Sequence, residues 1–414
     1  MIRILEYGAA NTLLKRSDDR LVQALIVVEP IVSDVRSRGD AAVREYAAQF
    51  DGRDDSVGSD FVVATGGTLE PELLQAIEIA ASNIRDFAEW QLVQPWTQTR
   101  DGRTLGQLVR PLESVGVYIP AGRYALLSTM LMTVIPAQVA GVREIVVVCA
   151  KPTPEMLAMA KWLGITSILQ LGGAQAIASL AYGTQSIAKV QRIVGPGNSY
   201  VAAAKKLVAG DIGIDFVAGP SEIVLIANAG DPTWIAADML AQCEHDVEAR
   251  AILLTTSTIL ATEVQAQVAL QLLTLPTADV ASLAVANNSA IIVCQSIDEI
   301  IELVNAIAPE HLAIPDESLP VASFVDKIAN AGSIFIGRFS TEAVGDYASG
   351  PNHVLPTSGV AALRGGLSVN DFVKVITTQS LSEDALRQLT PAVTQLARAE
   401  GLEAHARSVE VRQR

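Results

Sequence analysis

The sequence predicts an α/β protein built from two parallel-sheet units, and three observations carry that prediction. From Ser114 onward, short β-rich runs alternate with helical segments across short loops, the pattern of parallel strands joined by crossover helices. The alternation occurs twice, with Ala218-Gly219-Pro220-Ser221 as the hinge between the two passes. At 414 residues, half of them apolar, the chain also exceeds the roughly 250 to 300 residues at which a single core stops growing.

Before the alternation, the first hundred residues read mainly as helices. One apolar-periodic stretch opens at Asp18-Asp19 and runs to Arg38-Gly39, and a second starts near Glu70-Pro71. In the first unit, residues 143–149 (REIVVVC) and 165–170 read as strands, with helices opened by Thr153-Pro154 and spanning 174–182. A strand over 190–194, a helix over 198–208 stopped by Gly210, and a strand over 214–217 complete it. The second unit has strands at 222–227, 251–254, 290–294 and 333–336. Its helices are one with Asp231 as N-cap and Pro232 at the first position, and one over 297–307. Pro309 places Glu310-His311 in a loop, and after Gly366 the chain turns helical and polar, with Ser382 capping a helix that Gly401 ends.

A net charge of −15 argues against nucleic acid or an anionic membrane as partner, since both call for a basic footprint. No apolar run approaches the roughly 18 residues of a spanning helix, and the opening Met1-Ile-Arg-Ile-Leu has no signal-peptide layout, so a cytoplasmic protein acting on a small molecule is expected. Cys149, Cys243 and Cys294 are far apart in sequence, and Cys149 and Cys294 lie in apolar runs that suit small buried hydrophobes.

The chain has only four histidines, His245, His311, His353 and His405, each in a short cluster with a carboxylate or amide. Imidazole and carboxylate are common ligands of divalent metals, and imidazole also titrates near neutral pH, so a metal-dependent enzyme is the first hypothesis. Gln242 and His245 stand three apart on one predicted helix face, although a capping histidine with no ligand role explains that spacing as well. Glu310-His311 pairs a carboxylate with an imidazole, as general acid/base chemistry needs, and a surface loop pair is the bland alternative. The segment 345–357 surrounds Asp346, Asn352 and His353 with glycine and proline, which fix a loop in one shape. Gly172-Gly173 and Gly195-Pro196-Gly197 each follow a strand and open a helix, where anions meet helix N-termini, yet neither is a GxGxxG fingerprint.

Taken together, these motifs resemble the histidinol dehydrogenase family. The resemblance runs colinearly from RPLESVGVY at 110–118 through LGGAQAIASLAYGT, IVGPGNSYVAAAKKLV, AGPSEIVLIA, AQCEHD, APEHLAI, GDYASGPNHVLPT and GLSVNDF to AEGLEAHARSV. It implies zinc held by Gln242, His245, Asp346 and, from a second subunit's tail, His405. It also implies Glu310 and His311 as the acid/base pair, Ser221, His353 and Glu400 at the substrate together with the zinc ligands and His311, and Tyr118, Gln175 and Asn198 at NAD. The implied fold is a pair of incomplete Rossmann-like α/β domains, similar to the aldehyde dehydrogenase superfamily, in an intertwined homodimer. Its expected parts are an N-terminal arm over 1–19, a domain from 20–117 with 222–366 carrying the zinc ligands, an NAD-contacting domain over 118–221, and a helical tail over 367–414 that reaches the partner.

One stretch departs from the family pattern. After the NAD-contacting tyrosine the family usually carries PGGxAxYPSSVLM, whereas Ala121 replaces a glycine here and Leu127 the proline. A requirement for positive φ at Ala121 would cost about 1 kcal/mol or more and reshape the loop. Two other chemistries stay open at this stage: oxidation of another small amino or hydroxy alcohol, and a zinc hydrolase, which would leave Tyr118, Gln175 and Asn198 without purpose.

Overall fold

The structure is a computed structural model that describes residues 1–10, 19–52, 61–121 and 126–413. Two six-stranded sheets dominate it. Sheet I has the strand order Val62–Ala64, Ser167–Leu169, Glu144–Val148, Ser114–Tyr118, Arg192–Val194, Gly213–Ile214. Sheet II has the order Arg3–Glu6, Ala290–Val293, Arg250–Thr255, Glu222–Ile226, His311–Ile314, Ser333–Ile336. Apart from an edge strand from the N-terminal part of the chain, each sheet starts at an inner strand, steps twice to one side, then returns to the other side of that strand and steps outward. That reversal is the doubly wound topology, and its switch point falls between Ser114–Tyr118 and Arg192–Val194 in sheet I. Val62–Ala64 is the only antiparallel member of the two sheets among the described residues.

The strands form where the sequence is β-branched and apolar on both sides. Glu222–Ile226 is buried throughout and Ser114–Tyr118 likewise, as expected of parallel strands covered on both faces. Helix starts follow the sequence signals closely: Thr153, Asn198, Asp231 and Ser382 each accept a backbone N–H from the first turn of the helix that they cap. All three cysteines are buried and free.

The N-terminal helices, expected with sheet II, lie against sheet I. Helix Asp19–Arg38 packs on helices Gly173–Tyr182 and Ser199–Val208, and helix Pro71–Gln91 on Leu127–Ala140, so both cover sheet I rather than sheet II. A parallel sheet needs both faces covered, and the N-terminal helices supply apolar cover that the crossover helices of sheet I leave incomplete. The N-terminal arm also contributes: Arg3–Glu6 adds an edge strand to sheet II. Asp18, expected to open the first helix, lies outside the described residues.

Other features also differ from the sequence reading. His311 opens a buried strand, His311–Ile314, between Glu222–Ile226 and Ser333–Ile336, instead of lying in a loop. Arg103–Pro111 pairs with Trp96–Arg100 on one side and Val373–Leu381 on the other in a three-stranded antiparallel ribbon, so the tail begins as a strand before its helices Glu383–Ala399 and Glu403–Glu410. Ala121 does not take positive φ, and Leu127 opens helix Leu127–Ala140, so the replaced glycine brings no backbone strain at that position. No helix among the described residues is long and apolar enough to cross a membrane.

The turn after Arg192–Val194 is held by a buried ion pair between Lys205 and Asp215. Lys205 Nζ also donates to the Gly195 carbonyl (3.0 Å), and the Gly195 N–H donates to Asp215 (2.8 Å). Gly195 has φ of +113°, and a Cβ there would collide with the Tyr118 carbonyl oxygen, so the backbone of this turn runs against the neighbouring strand. Replacing Lys205 with Met would leave a buried carboxylate uncompensated. Urea unfolding is expected to show a loss of about 3 to 5 kcal/mol; a loss under about 1 kcal/mol would contradict the structural role assigned to the pair.

Candidate active site

The candidate site lies at the amino-terminal edge of sheet II. Glu310 and His311 sit at the start of one strand, Ser221 and Glu222 at the start of its neighbour, and Gln242 and His245 at the end of helix Pro232–Cys243, which returns the chain to the same edge. Helix Glu342–Tyr347 brings Glu342 and Asp346 there as well. His245 lies just beyond the helix end, its N–H donating to the Gln242 carbonyl (3.4 Å), so the last turn keeps both residues together.

His311 is the centre of the arrangement. Its Nδ1 faces only oxygen: the Glu222 carbonyl at 3.2 Å, Glu342 Oε1 at 3.4 Å and Glu310 Oε2 at 3.8 Å. A nitrogen among acceptors carries the proton, which leaves Nε2 as the basic nitrogen of the neutral ring. Nε2 is buried with no hydrogen-bond partner, and Asp346 Oδ1 stands 3.7 Å away. Glu310 is fixed from the other side, accepting the Glu222 N–H at 2.8 Å. Glu222 in turn accepts from Ser358 N–H (3.0 Å) and pairs with Arg250.

His353 belongs to the same cluster but faces sheet I. Its Nδ1 is 2.7 Å from the Asp346 carbonyl, and its Nε2 is 3.4 Å from Thr129 Oγ1, in the first turn of the helix that follows Ser114–Tyr118. The amino edge of sheet II therefore meets the carboxyl edge of sheet I. On that second edge stand Tyr118 at its strand's end, Gln175 in the first turn of Gly173–Tyr182, and Asn198 capping Ser199–Val208. Tyr118 Oη accepts from Gly173 N–H (3.1 Å), while Asp51 accepts from both Gly172 N–H and Gln175 Nε2 (each 3.1 Å). Asp51 thus fills the helix N-terminus that the glycines had marked as an anion position.

Electrostatically the site is crowded with acid. Burial pushes the carboxyls of Glu310 and Glu342 up to about 8, and like charges nearby add to this. For His311, burial works against the charged ring, but Glu342, Glu310 and Asp346 outweigh it and raise the imidazolium to about 10. Burial lowers His353, and for Asp346 the opposing effect of burial is overcome by His311, His353 and His245. Such a carboxylate surplus is what a cation neutralises. His245, Glu342 and Asp346 each offer a ligand atom within 4.8 Å of the others, a nitrogen and oxygen set of the kind that zinc takes.

Of the residues singled out in the sequence, Gln242, His245, Glu310, His311, Asp346 and His353 thus come together. Ser221 adjoins them in sequence at the start of the central strand. Glu400 and His405 do not join them: both are exposed on the tail, His405 on helix Glu403–Glu410. Sequence reasoning missed Glu222, Thr129 and Glu342. Only Glu342 left a signal, standing four residues before Asp346 and so on the same helix face.

The raised Glu310 carboxyl has a measurable consequence. The folded protein keeps a proton that the unfolded chain releases near 4.5, so the stability tied to that proton is complete below 4.5 and is lost as pH rises to about 8. Glu310→Gln stays neutral and keeps an acceptor for the Glu222 N–H. In chelator-treated protein it is expected to match wild type near pH 5 and to gain on it up to pH 8, by at most about 1.4 kcal/mol per pH unit in urea unfolding. A difference that does not change with pH would refute this.

Comparison with known proteins agrees with this geometry. The family model described as histidinol dehydrogenase matches residues 14–413. The histidinol dehydrogenase of Geobacillus kaustophilus is 49% identical over 393 residues, covering 92% of each chain. The crystal structure of histidinol dehydrogenase from Elizabethkingia anophelis superposes with a TM-score of 0.90 at 36% identity, covering 99% of this chain and 98% of that one. An acetylating aldehyde dehydrogenase from Geobacillus thermoglucosidasius shares the fold at a TM-score of 0.50 and 13% identity, covering 91% of this chain and 95% of that one. With the family matched along nearly its whole length and the fold shared throughout, the chain belongs to the histidinol dehydrogenase family of oxidoreductases.

Proposed function

We propose that this protein is a zinc-containing, NAD-dependent L-histidinol dehydrogenase. It oxidises L-histidinol through L-histidinaldehyde to L-histidine, the last steps of histidine biosynthesis, and reduces two NAD. The observation that carries this reading is His311 Nε2, a buried ring nitrogen without a hydrogen-bond partner, at the edge where sheet II meets the edge of sheet I that would face the cofactor.

Gln242, His245 and Asp346 would hold zinc, with His405 from the tail of a second copy completing the set. Zinc, when bound, supplies a Lewis-acidic template for the substrate's amine and imidazole, and its charge relieves the carboxylate surplus that otherwise keeps His311 protonated. His311 Nε2 would then take the hydroxyl proton as the carbinol carbon loses its hydride, which NAD, when bound, would accept. After His311 releases that proton to solvent, water would add to the aldehyde with Glu310 helping to take the water proton. His311 would then accept one hydroxyl proton of the hydrate as a second hydride leaves for a second NAD, and the resulting acid would lose its remaining proton to solvent as the carboxylate. Ser221, His353 and Glu400 would bind substrate. Tyr118, Gln175 and Asn198 would contact NAD from the ends of the sheet I strands, the usual ligand edge of a doubly wound sheet.

A shared site accounts for the placement of His405 away from its own subunit's cluster. The ribbon and tail also expose apolar side chains, among them Ile376, Leu381, Leu396 and Val411, as a surface that covers a second copy would. The reading is therefore a homodimer whose tails cross.

Two measurements test it. With L-histidinol and NAD, two NADH are expected per histidine formed, with activity lost on chelation and regained with zinc. Zinc-loaded protein that fails to turn over histidinol would sink the proposal, and a ratio of one would indicate oxidation of a simple alcohol. For the shared site, His405→Ala and His245→Ala variants, each inactive alone, should recover activity when unfolded and refolded together, because hybrid dimers assemble one intact site. Recovery no greater than either parent would rule out the crossing tail.

A further inference from the structure

Gln242 is buried and its side-chain amide has two ends of the same shape, only one of which can ligate a cation. A rotation of 180° about the last side-chain bond exchanges them without changing the packing, so shape alone does not decide which end meets a metal. Opposite an ionised Glu342 the surroundings do decide. With the amide nitrogen turned to Glu342, it lies 2.5 Å and 3.3 Å from the two carboxylate oxygens, and the amide oxygen faces donors; in the opposite orientation oxygen meets only acceptors and nitrogen only donors. Glu342 is itself buried, at the start of helix Glu342–Tyr347, one turn before Asp346.

We propose that Glu342 is a positioning residue: its carboxylate holds the Gln242 N–H group and thereby presents the Gln242 oxygen to the metal alongside His245 and Asp346. This rests on the reading of Gln242, His245 and Asp346 as metal ligands. It answers a question that the ligand set raises, which is why an amide can serve where a carboxylate would need no orienting. A fixed amide brings no further negative charge to a site that already holds Glu310, Glu342 and Asp346 around His311. Partners that orient a ligand in this way commonly affect metal affinity by about 10- to 100-fold.

The test uses cobalt(II) alone as the probe, in the full-length protein, read by its visible absorption and by competition with a chelator. Glu342→Gln keeps the size of the side chain but offers an amide to an amide, so Gln242 loses its fixed orientation. Cobalt affinity is expected to fall about 10- to 100-fold, while the absorption band at saturating cobalt stays as in wild type, because the metal itself turns the amide back. Adding Gln242→Glu should restore affinity to within about threefold of wild type, since a carboxylate presents oxygen at either end and the Gln242→Glu, Glu342→Gln pair again places donor against acceptor. Unchanged affinity in Glu342→Gln would overturn the inference, as would a double variant no tighter than the single one. A shifted band at saturation would overturn it differently, by placing Glu342 on the metal. If Glu342→Gln does not fold, the double variant alone decides: folded and binding supports the inference, folded and not binding refutes it. Wild-type protein that takes up no cobalt would instead refute the metal reading on which the inference stands.

Discussion

Three carboxylates stand within 3.4 to 3.8 Å of one buried imidazole, and the backbone around them is arranged to keep them there. At an effective dielectric constant near 20, two like charges 4 Å apart repel by about 4 kcal/mol, so such a group is tolerable only with compensating positive charge or bound protons. In the protein alone the compensation comes from protons, on His311 and on Glu310 and Glu342. An imidazolium cannot accept a proton from an alcohol, so chemistry at Nε2 requires that another cation take its place. Under the function proposed above, base catalysis and metal binding are one electrostatic problem, and the same acidic groups would serve both.

Placement of the site follows from how the two sheets meet. In sheet I the candidate cofactor residues occupy the carboxyl edge, as the doubly wound topology leads one to expect. In sheet II the histidine and carboxylate cluster occupies the opposite, amino edge, at the starts of Glu222–Ile226 and His311–Ile314. Sheet II thus repeats the topology of a nucleotide-binding unit without using its usual crevice. Because the amino edge of one sheet abuts the carboxyl edge of the other, the His353–Thr129 contact links the acid/base cluster to the helix that begins beside the cofactor strands.

Much of this was legible in the sequence wherever local chemistry decides local structure. Runs such as EIVVV and EIVLI form strands because β-branched apolar side chains suit a sheet buried on both faces. Caps at Thr153, Asn198, Asp231 and Ser382 mark helix starts because a side-chain oxygen satisfies an orphan N–H. What stayed hidden depends on pairing at long range. Trp96–Arg100 and Val373–Leu381 are largely exposed strands with no buried stripe to betray them, and they exist only because Arg103–Pro111 lies between them. Helices Asp19–Arg38 and Pro71–Gln91 announce themselves as helices, but nothing in their periodicity says which sheet they cover.

The site shows the same division. The histidine clusters were conspicuous because histidine is scarce in this chain, whereas Glu342 was one acidic residue among 45. Its importance lies in its neighbours and not in its own identity: burial, the Gln242 amide at one side and the His311 ring at the other. A ligand can be anticipated from the residue type that metals prefer. A residue that turns a ligand to face the metal is set by geometry alone, because any acceptor of the right reach would serve. Structure is therefore most informative at the second rank of residues, where the choice between two ends of one amide separates a ligand from a bystander.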